Sequence, residues 1–117
     1  NRFGMIMTEA AYREGEEWLE QLMRYLEINK NIFLNTFKST NNIDVLDLES
    51  TYLAWVDFND LEISEKALKN MLVKDAGIAP SFGSGFGKSS EKFARFNIAC
   101  RREILELAVE RFAKTFS

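Results

Sequence analysis

Residues 51–58, TYLAWVDF, combine β-branched and aromatic side chains in a run that is typical of a β-strand. Four of these side chains share one face of such a strand: Tyr52, Ala54, Val56 and Phe58. Leu53 and Trp55 lie on the opposite face, so the strand is mostly apolar on both sides. We therefore expect helices of this chain to cover one face, and we expect the other face to need a partner.

A second strand is predicted at residues 93–99, FARFNIA. Its apolar face carries three side chains: Ala94, Phe96 and Ile98. The alternation leaves Arg95 and Asn97 side by side on the opposite face. An arginine in mid-strand is costly to bury without a partner, and its planar guanidinium suits bidentate binding of a carboxylate. The residues alone leave two alternatives: a ligand-binding arginine, or a surface arginine that is solvated or paired with a neighbouring acid.

The rest of the chain predicts three helices and two further short strands. Thr8 can cap a helix over residues 10–37, in which Gly15 marks a break or a close contact. The other elements are a strand at 43–46, a helix at 65–74 capped by Ser64 and ended by Gly77, a strand near 78–79, and a helix at 101–116. This α-β-β-α-β-β-α order predicts an α+β fold, a two-layer sandwich of helices on a small, mainly antiparallel sheet.

The composition fits one domain and excludes several classes of function. The 117 residues carry a net charge of −3 with both signs mixed, which argues against a nucleic-acid surface, and no apolar run is long enough to suggest a membrane segment. The absence of histidine removes the commonest general base and metal ligand. Cys100, the single cysteine, indicates a reducing compartment and is interpreted as a small apolar filler. Because position 1 is not methionine, we expect the chain to come from inside a longer protein.

The loop at residues 83–90, GSGFGKSS, invites comparison with phosphate-binding motifs. It fails both common patterns, because Phe82 stands where a P-loop needs glycine and Lys88 stands where the dinucleotide motif needs its third glycine. The loop is therefore either a glycine-rich connector or a segment whose backbone approaches a ligand.

Four stretches, taken in order, resemble the C-terminal small domain of fold-type I pyridoxal-phosphate (PLP) enzymes of aminotransferase class I/II. They are TEAAYREGEEWLEQLMRYLEINKN (8–31), TYLAWVDF (51–58), GSGFG (83–87) and FARFNIAC (93–100). Within that family, the chain resembles most the carbon–sulfur lyases of the cystathionine β-lyase type.

The resemblance implies a site. Arg95 matches the arginine that binds the α-carboxylate of an amino-acid substrate, and Asn97 is a second substrate-binding candidate beside it. The active-site loop would comprise five residues: Gly83, Ser84, Gly85, Phe86 and Gly87. PLP is implied for the full-length enzyme, but the Schiff-base lysine has no counterpart in this chain. We therefore expect this fragment alone to bind no PLP or metal, to hold no catalytic residue and to be inactive.

The resemblance also implies an organisation. Residues 1–14 would end the large-domain segment as an inter-domain helix, and residues 15–117 would form the C-terminal small domain. The implied partners are the amino-acid substrate, the PLP-binding large domain that this chain lacks, and a second copy in a cytoplasmic homodimer, with no nucleic acid or membrane. Two alternatives remain: a non-catalytic protein-interaction module that uses the apolar Trp55 face, and a domain that binds a carboxylate through Arg95 without catalysis.

Overall fold

A computed structural model describes all 117 residues, which form four α-helices and one four-stranded sheet. The helices are α1 (Arg2–Glu14), α2 (Glu16–Lys38), α3 (Glu65–Asn70) and α4 (Arg102–Thr115). The strands are β1 (Asp44–Val45), β2 (Leu53–Asp57), β3 (Ser81–Phe82) and β4 (Phe93–Asn97). A π-helical turn over Met71–Asp75 extends α3, and single 3₁₀ turns cover Gly83–Gly85 and Lys88–Ser90.

The sheet has the order β1-β2-β4-β3, and every neighbouring pair is antiparallel. Strand β4 is central, so Arg95 pairs with Trp55 of β2 on one side and with Ser81 of β3 on the other. The helices pack on one face of this sheet. The predicted α+β class and the antiparallel sheet are confirmed.

The core lies between the sheet and the helices. Six buried side chains come from β2, β4 and the residues that directly follow them: Ala54, Val56, Phe58, Ala94, Phe96 and Ile98. Phe37 of α2 stacks on Phe33 of α2 and on Phe112 of α4, with ring centroids 4.0 and 3.7 Å apart. The predicted core faces of both long strands are confirmed, except that Tyr52 lies before β2 and is 44% exposed.

The N-terminal helix begins earlier than predicted and is broken. Thr8 is not a cap, because it lies inside α1, whose first turn is capped by the Asn1 side chain accepting from the backbone N of Phe3 and Gly4. The break falls at Gly15, where a Cβ would stand 2.4 Å from the carbonyl oxygen of Ala11. The observed order is therefore α-α-β-β-α-β-β-α.

The third strand lies three residues later than predicted, at Ser81–Phe82 rather than 78–79. The backbone N of Ile78 instead donates to the carbonyl oxygen of Leu72 at 2.7 Å and closes the helical segment. Gly77 makes this closure possible with a φ of +68°, as its predicted role at the helix end requires. No helix is long and apolar enough to cross a bilayer.

Candidate functional site

Arg95 lies in the middle of β4, on the face of the sheet that the helices leave open. Its side chain is half-buried, and its guanidinium carbon lies 4.8 Å from the centroid of the Phe86 ring. Arg95 takes part in no ion pair and in no side-chain hydrogen bond. The N–H donors of the guanidinium are therefore not engaged by the protein.

No carboxylate of the chain neutralises Arg95. Asp57, the acidic residue on the same face of β2, accepts hydrogen bonds from the backbone N of Asn59 at 2.8 Å and from its Nδ2 at 2.7 Å. The alternative of a surface arginine paired with a neighbouring acid is wrong for this chain, whereas the alternative of a solvated arginine stays open. A half-buried cation without a counter-charge suits an anionic ligand.

Aromatic rings border Arg95. Trp55, its cross-strand neighbour, meets Phe86 edge-to-face at 5.5 Å and stacks on Phe93 at 5.7 Å. Trp55 is half-buried as a result, so the second apolar face of β2 is partly covered by the chain's own loop. What remains open is a patch of aromatic rings with one cation beside it.

The loop at 83–87 carries Phe86 over this patch and is fixed at its first residues. Gly83 is buried, and a Cβ there would stand 1.9 Å from the carbonyl oxygen of Ser90. Lys69 Nζ lies 3.2 Å from Ser84 Oγ and 2.8 Å from Glu65 Oε1, which ties the loop to α3. Lys69 first, and then the Ser84 hydroxyl, hold the pKa of Glu65 below its usual value.

The tip of the loop is less constrained than its beginning. A Cβ added at Gly85 or at Gly87 would meet nothing within 4 Å, and Phe86 between them is 53% exposed. The backbone N of Phe86 donates to the carbonyl oxygen of Gly83 at 2.7 Å. The structure thus brings the predicted loop and Arg95 together through the Phe86 ring.

Asn97 lies at the end of β4 and is exposed. Its Oδ1 accepts a hydrogen bond from the backbone N of Ala99 at 2.8 Å, which turns the chain out of the strand. Its side chain therefore has a local structural role beside the predicted site, and its contact with a substrate stays a prediction.

Cys100 has the environment of a packing residue. It is half-buried, and burial raises the pKa of its thiol above the ordinary value. Little of the reactive thiolate then forms at neutral pH.

Several known proteins are similar to this chain in sequence and in fold. No protein-family model matches the chain. The chain is 34% identical over 110 residues to a cystathionine β-lyase of Corynebacterium glutamicum, a match that covers 94% of this chain and 29% of that protein. It is 29% identical over 120 residues to the cystathionine β-lyase PatB of Bacillus subtilis (strain 168), covering 100% of this chain and 30% of that protein.

Solved structures give the same result. A PLP-bound protein of Clostridium difficile 630, described as an aminotransferase, matches with a TM-score of 0.87 and 36% identity, over 100% of this chain and 30% of that chain. Cystalysin of Treponema denticola, which contains PLP, matches with a TM-score of 0.82 and 29% identity, over 92% of this chain and 27% of that chain.

The relatives, the fold and the order of the four motifs agree. The chain is a homologue of the small domain of fold-type I PLP-dependent enzymes. This small-domain homologue spans about 30% of the length of the curated relatives that it matches.

The residues of the small domain do not fit the PLP cofactor itself. A PLP enzyme needs a lysine amine for covalent attachment and a cradle for the phosphate. Near the site, Lys69 is ion-paired with Glu65, and Lys92 Nζ donates to two backbone carbonyl oxygens at 3.1 and 2.7 Å. Lys88, the other lysine by the loop, is exposed, and no polar side chain contacts its amine. The loop begins with a single 3₁₀ turn at Gly83–Gly85 and opens no helix whose N-terminus could hold a phosphate. The structure shows here a half-buried guanidinium beside aromatic rings.

Sequence reasoning missed a polar cluster in the small domain. Asn29 of α2 is fully buried, and its Nδ2 donates to the carbonyl oxygens of Ile98 and Cys100 at 2.9 and 3.1 Å. The Tyr25 hydroxyl accepts from the backbone N of Arg102 at 2.7 Å, and the Arg102 guanidinium lies 4.6 Å from the Tyr25 ring centroid. The signal was present, because Asn29 interrupts an apolar stripe that continues at a spacing of four residues through Phe33 and Phe37.

Proposed function

We propose that this chain supplies the substrate-carboxylate site of a PLP-dependent enzyme that acts on amino acids, either as a carbon–sulfur β-lyase or as an aminotransferase. The observation that carries the proposal is the half-buried guanidinium of Arg95, which has no counter-charge in the chain. The names of the relatives, cystathionine β-lyase and aminotransferase, support both activities.

Arg95 binds the α-carboxylate of the substrate through two parallel N–H···O hydrogen bonds. Such charge-assisted pairs fix both the position and the plane of the carboxylate. Anchoring one end of a small amino acid orients the bonds at its Cα. The loss of entropy on reaching the transition state is then smaller. The loop at 83–87 lines the entrance, and Asn97 contacts the substrate from the end of β4. The cofactor and its chemistry belong to the remainder of the parent enzyme.

The parent enzyme is organised around the break at Gly15. Residues 1–14 end the large-domain segment, and residues 15–117 form the small domain. The absence of any buried residue in α1 and the interruption at Gly15 support this division. The parent acts as a cytoplasmic homodimer, and the single free cysteine agrees with a reducing compartment. The fragment alone is inactive.

Substitution of Arg95 in the parent enzyme tests the proposal. Arg95→Ala should raise KM for the amino-acid substrate by about 10- to 100-fold, the range expected for a lost hydrogen bond to a charged group. Arg95→Lys keeps the charge but loses the planar guanidinium, so its KM should lie between that of the parent enzyme and that of Arg95→Ala. Arg24→Ala is the control, because Arg24 pairs only with Glu20 on the surface of α2. An unchanged KM for Arg95→Ala would remove Arg95 from the site.

A further inference from the structure

The Phe86 ring is the one side chain that contacts the guanidinium of Arg95 by a directed interaction, at 4.8 Å from ring centroid to guanidinium carbon. A guanidinium is planar, with weakly hydrated faces and its N–H donors in the plane. A ring that lies against one face attracts the cation through its quadrupole and leaves the in-plane donors open to a carboxylate. Phe86 therefore orients Arg95 without competing for its ligand.

Phe86 lies at the less constrained tip of the loop, where an aromatic contact supports its ring. Trp55 meets its ring edge-to-face at 5.5 Å, and the first residues of the loop are fixed by Gly83 and by the Lys69 contact with Ser84. The flanking Gly85 and Gly87 have open space around them. The Phe86 ring thus contacts both Trp55 and the Arg95 guanidinium, while the backbone of Phe86 belongs to the loop at 83–87.

From this geometry we infer that Phe86 is a positioning residue for the carboxylate site, which it serves by holding the Arg95 guanidinium in its binding orientation. The inference rests on the proposed function of Arg95. An arginine side chain that is already oriented loses less rotational freedom when the carboxylate arrives. The contribution of Phe86 is therefore to substrate affinity, and it is transmitted through Arg95.

The test uses two substitutions at Phe86 in the parent enzyme, with steady-state kinetics on its amino-acid substrate. Phe86→Leu keeps apolar bulk but removes the π face, and it should raise KM by about 2- to 5-fold while kcat changes little, as expected for the loss of an exposed cation–π contact. Phe86→Tyr keeps the π face and should retain the KM of the parent. Tyr52→Leu is the control, because this 44% exposed ring lies before β2 and contacts no cation.

A double substitution separates positioning from simple packing. If Phe86 acts through Arg95, then Phe86→Leu in an Arg95→Ala background should raise KM no further. Calorimetric binding of a substrate-like carboxylic acid should show the same pattern without turnover.

Three results would overturn the inference, and they are distinguishable. A KM unchanged by Phe86→Leu but raised by Arg95→Ala would remove Phe86 and leave the proposed function standing. An equal increase in both backgrounds would show that Phe86 does not act through Arg95. A KM unchanged by Arg95→Ala would overturn the proposed function, and the role of Phe86 with it.

Discussion

Asn29 is the buried polar residue of the core, and it connects three elements. Its Nδ2 satisfies two backbone carbonyl oxygens at the end of β4, those of Ile98 and Cys100. Its Oδ1 accepts from Nε of Arg102 at the start of α4, at 3.4 Å. These acceptors lie where the strand ends and helix α4 has not begun, so no ladder or helical hydrogen bond can replace the side chain.

Asn29→Ala should lower the free energy of unfolding by about 2 kcal/mol, because it leaves the buried carbonyl oxygen of Ile98 without its side-chain donor. The matched control is Asn35→Ala on the same helix, since Asn35 is exposed and should cost little. Chemical denaturation of both variants measures the difference. Equal effects at the two positions would show that the buried hydrogen bonds contribute nothing, because alanine is the better helix former at both.

For single residues, the sequence predicts the candidate site residue better than it predicts which side chains surround that residue. Arg95 could be singled out because a period of two places this cation on the face opposite Ala94 and Phe96. The partner ring could not be identified, because Phe86 reaches Arg95 through an irregular loop whose path no periodicity describes. The sequence also leaves open whether an acid such as Asp57 neutralises Arg95. In the structure, Asp57 accepts hydrogen bonds from Asn59 instead.

Among the elements, the loop at 83–87 depends on one glycine far more than on the others. A Cβ at Gly83 would collide with the carbonyl oxygen of Ser90 at 1.9 Å and would lie 2.9 Å from Cβ of Phe93. Ser90 ends the 3₁₀ turn before β4, and Phe93 is the first residue of β4, so relief of the collision would displace the start of the strand or the turn before it. Gly83 is thus the point at which the loop and the arginine strand are locked together.

Gly83→Ala should destabilise the domain by about 2 kcal/mol, the usual cost of overpacking, and should also raise the substrate KM of the parent because Phe86 moves away from Arg95. Gly85→Ala is the matched control, since a Cβ there meets nothing within 4 Å. Thermal unfolding and kinetics of the two variants check the prediction. If Gly85→Ala lowered stability and raised KM as much as Gly83→Ala does, the loop would depend on its flexibility and not on the close contact at Gly83.

Hydrophobic periodicity locates α4, β2, β4 and the end of α2 to within two residues, because each of these elements packs an apolar stripe or alternate side chains into one core. It fails for α1, which packs no stripe into the core and has no buried residue. It fails for β3 because a strand of two residues is too short to show a pattern. The apolar pair at 78–79, where the strand was predicted, instead begins with the residue whose backbone N–H closes the preceding helical segment. Elements defined by backbone hydrogen bonds alone leave little signal in the sequence.

The whole molecule is elongated because α1 projects from the rest. Its radius of gyration is 17.0 Å and its longest extent is 52 Å, whereas a compact domain of this length has a radius of gyration of roughly 13 Å. Five large apolar side chains of α1 are more than half exposed: Phe3, Met5, Ile6, Met7 and Tyr12. A helix with this surface gains nothing from the core of the chain and favours contact with another apolar surface.

Removal of residues 1–14 should therefore change the unfolding midpoint of the remaining chain by less than about 4 °C, equivalent to less than about 1 kcal/mol for a domain of this size. It should also reduce the fluorescence of a bound hydrophobic dye, because the exposed apolar side chains of α1 leave with it. Removal of α4 is the matched control: this helix of 14 residues, against 13 in α1, buries Leu105, Val109 and Phe112, so its loss should unfold the chain. Circular dichroism melting curves and dye titrations of the two truncations supply the measurement. A large drop in midpoint on removal of α1 would mean that α1 stabilises the small domain directly, and the division at Gly15 would then not separate two structural units.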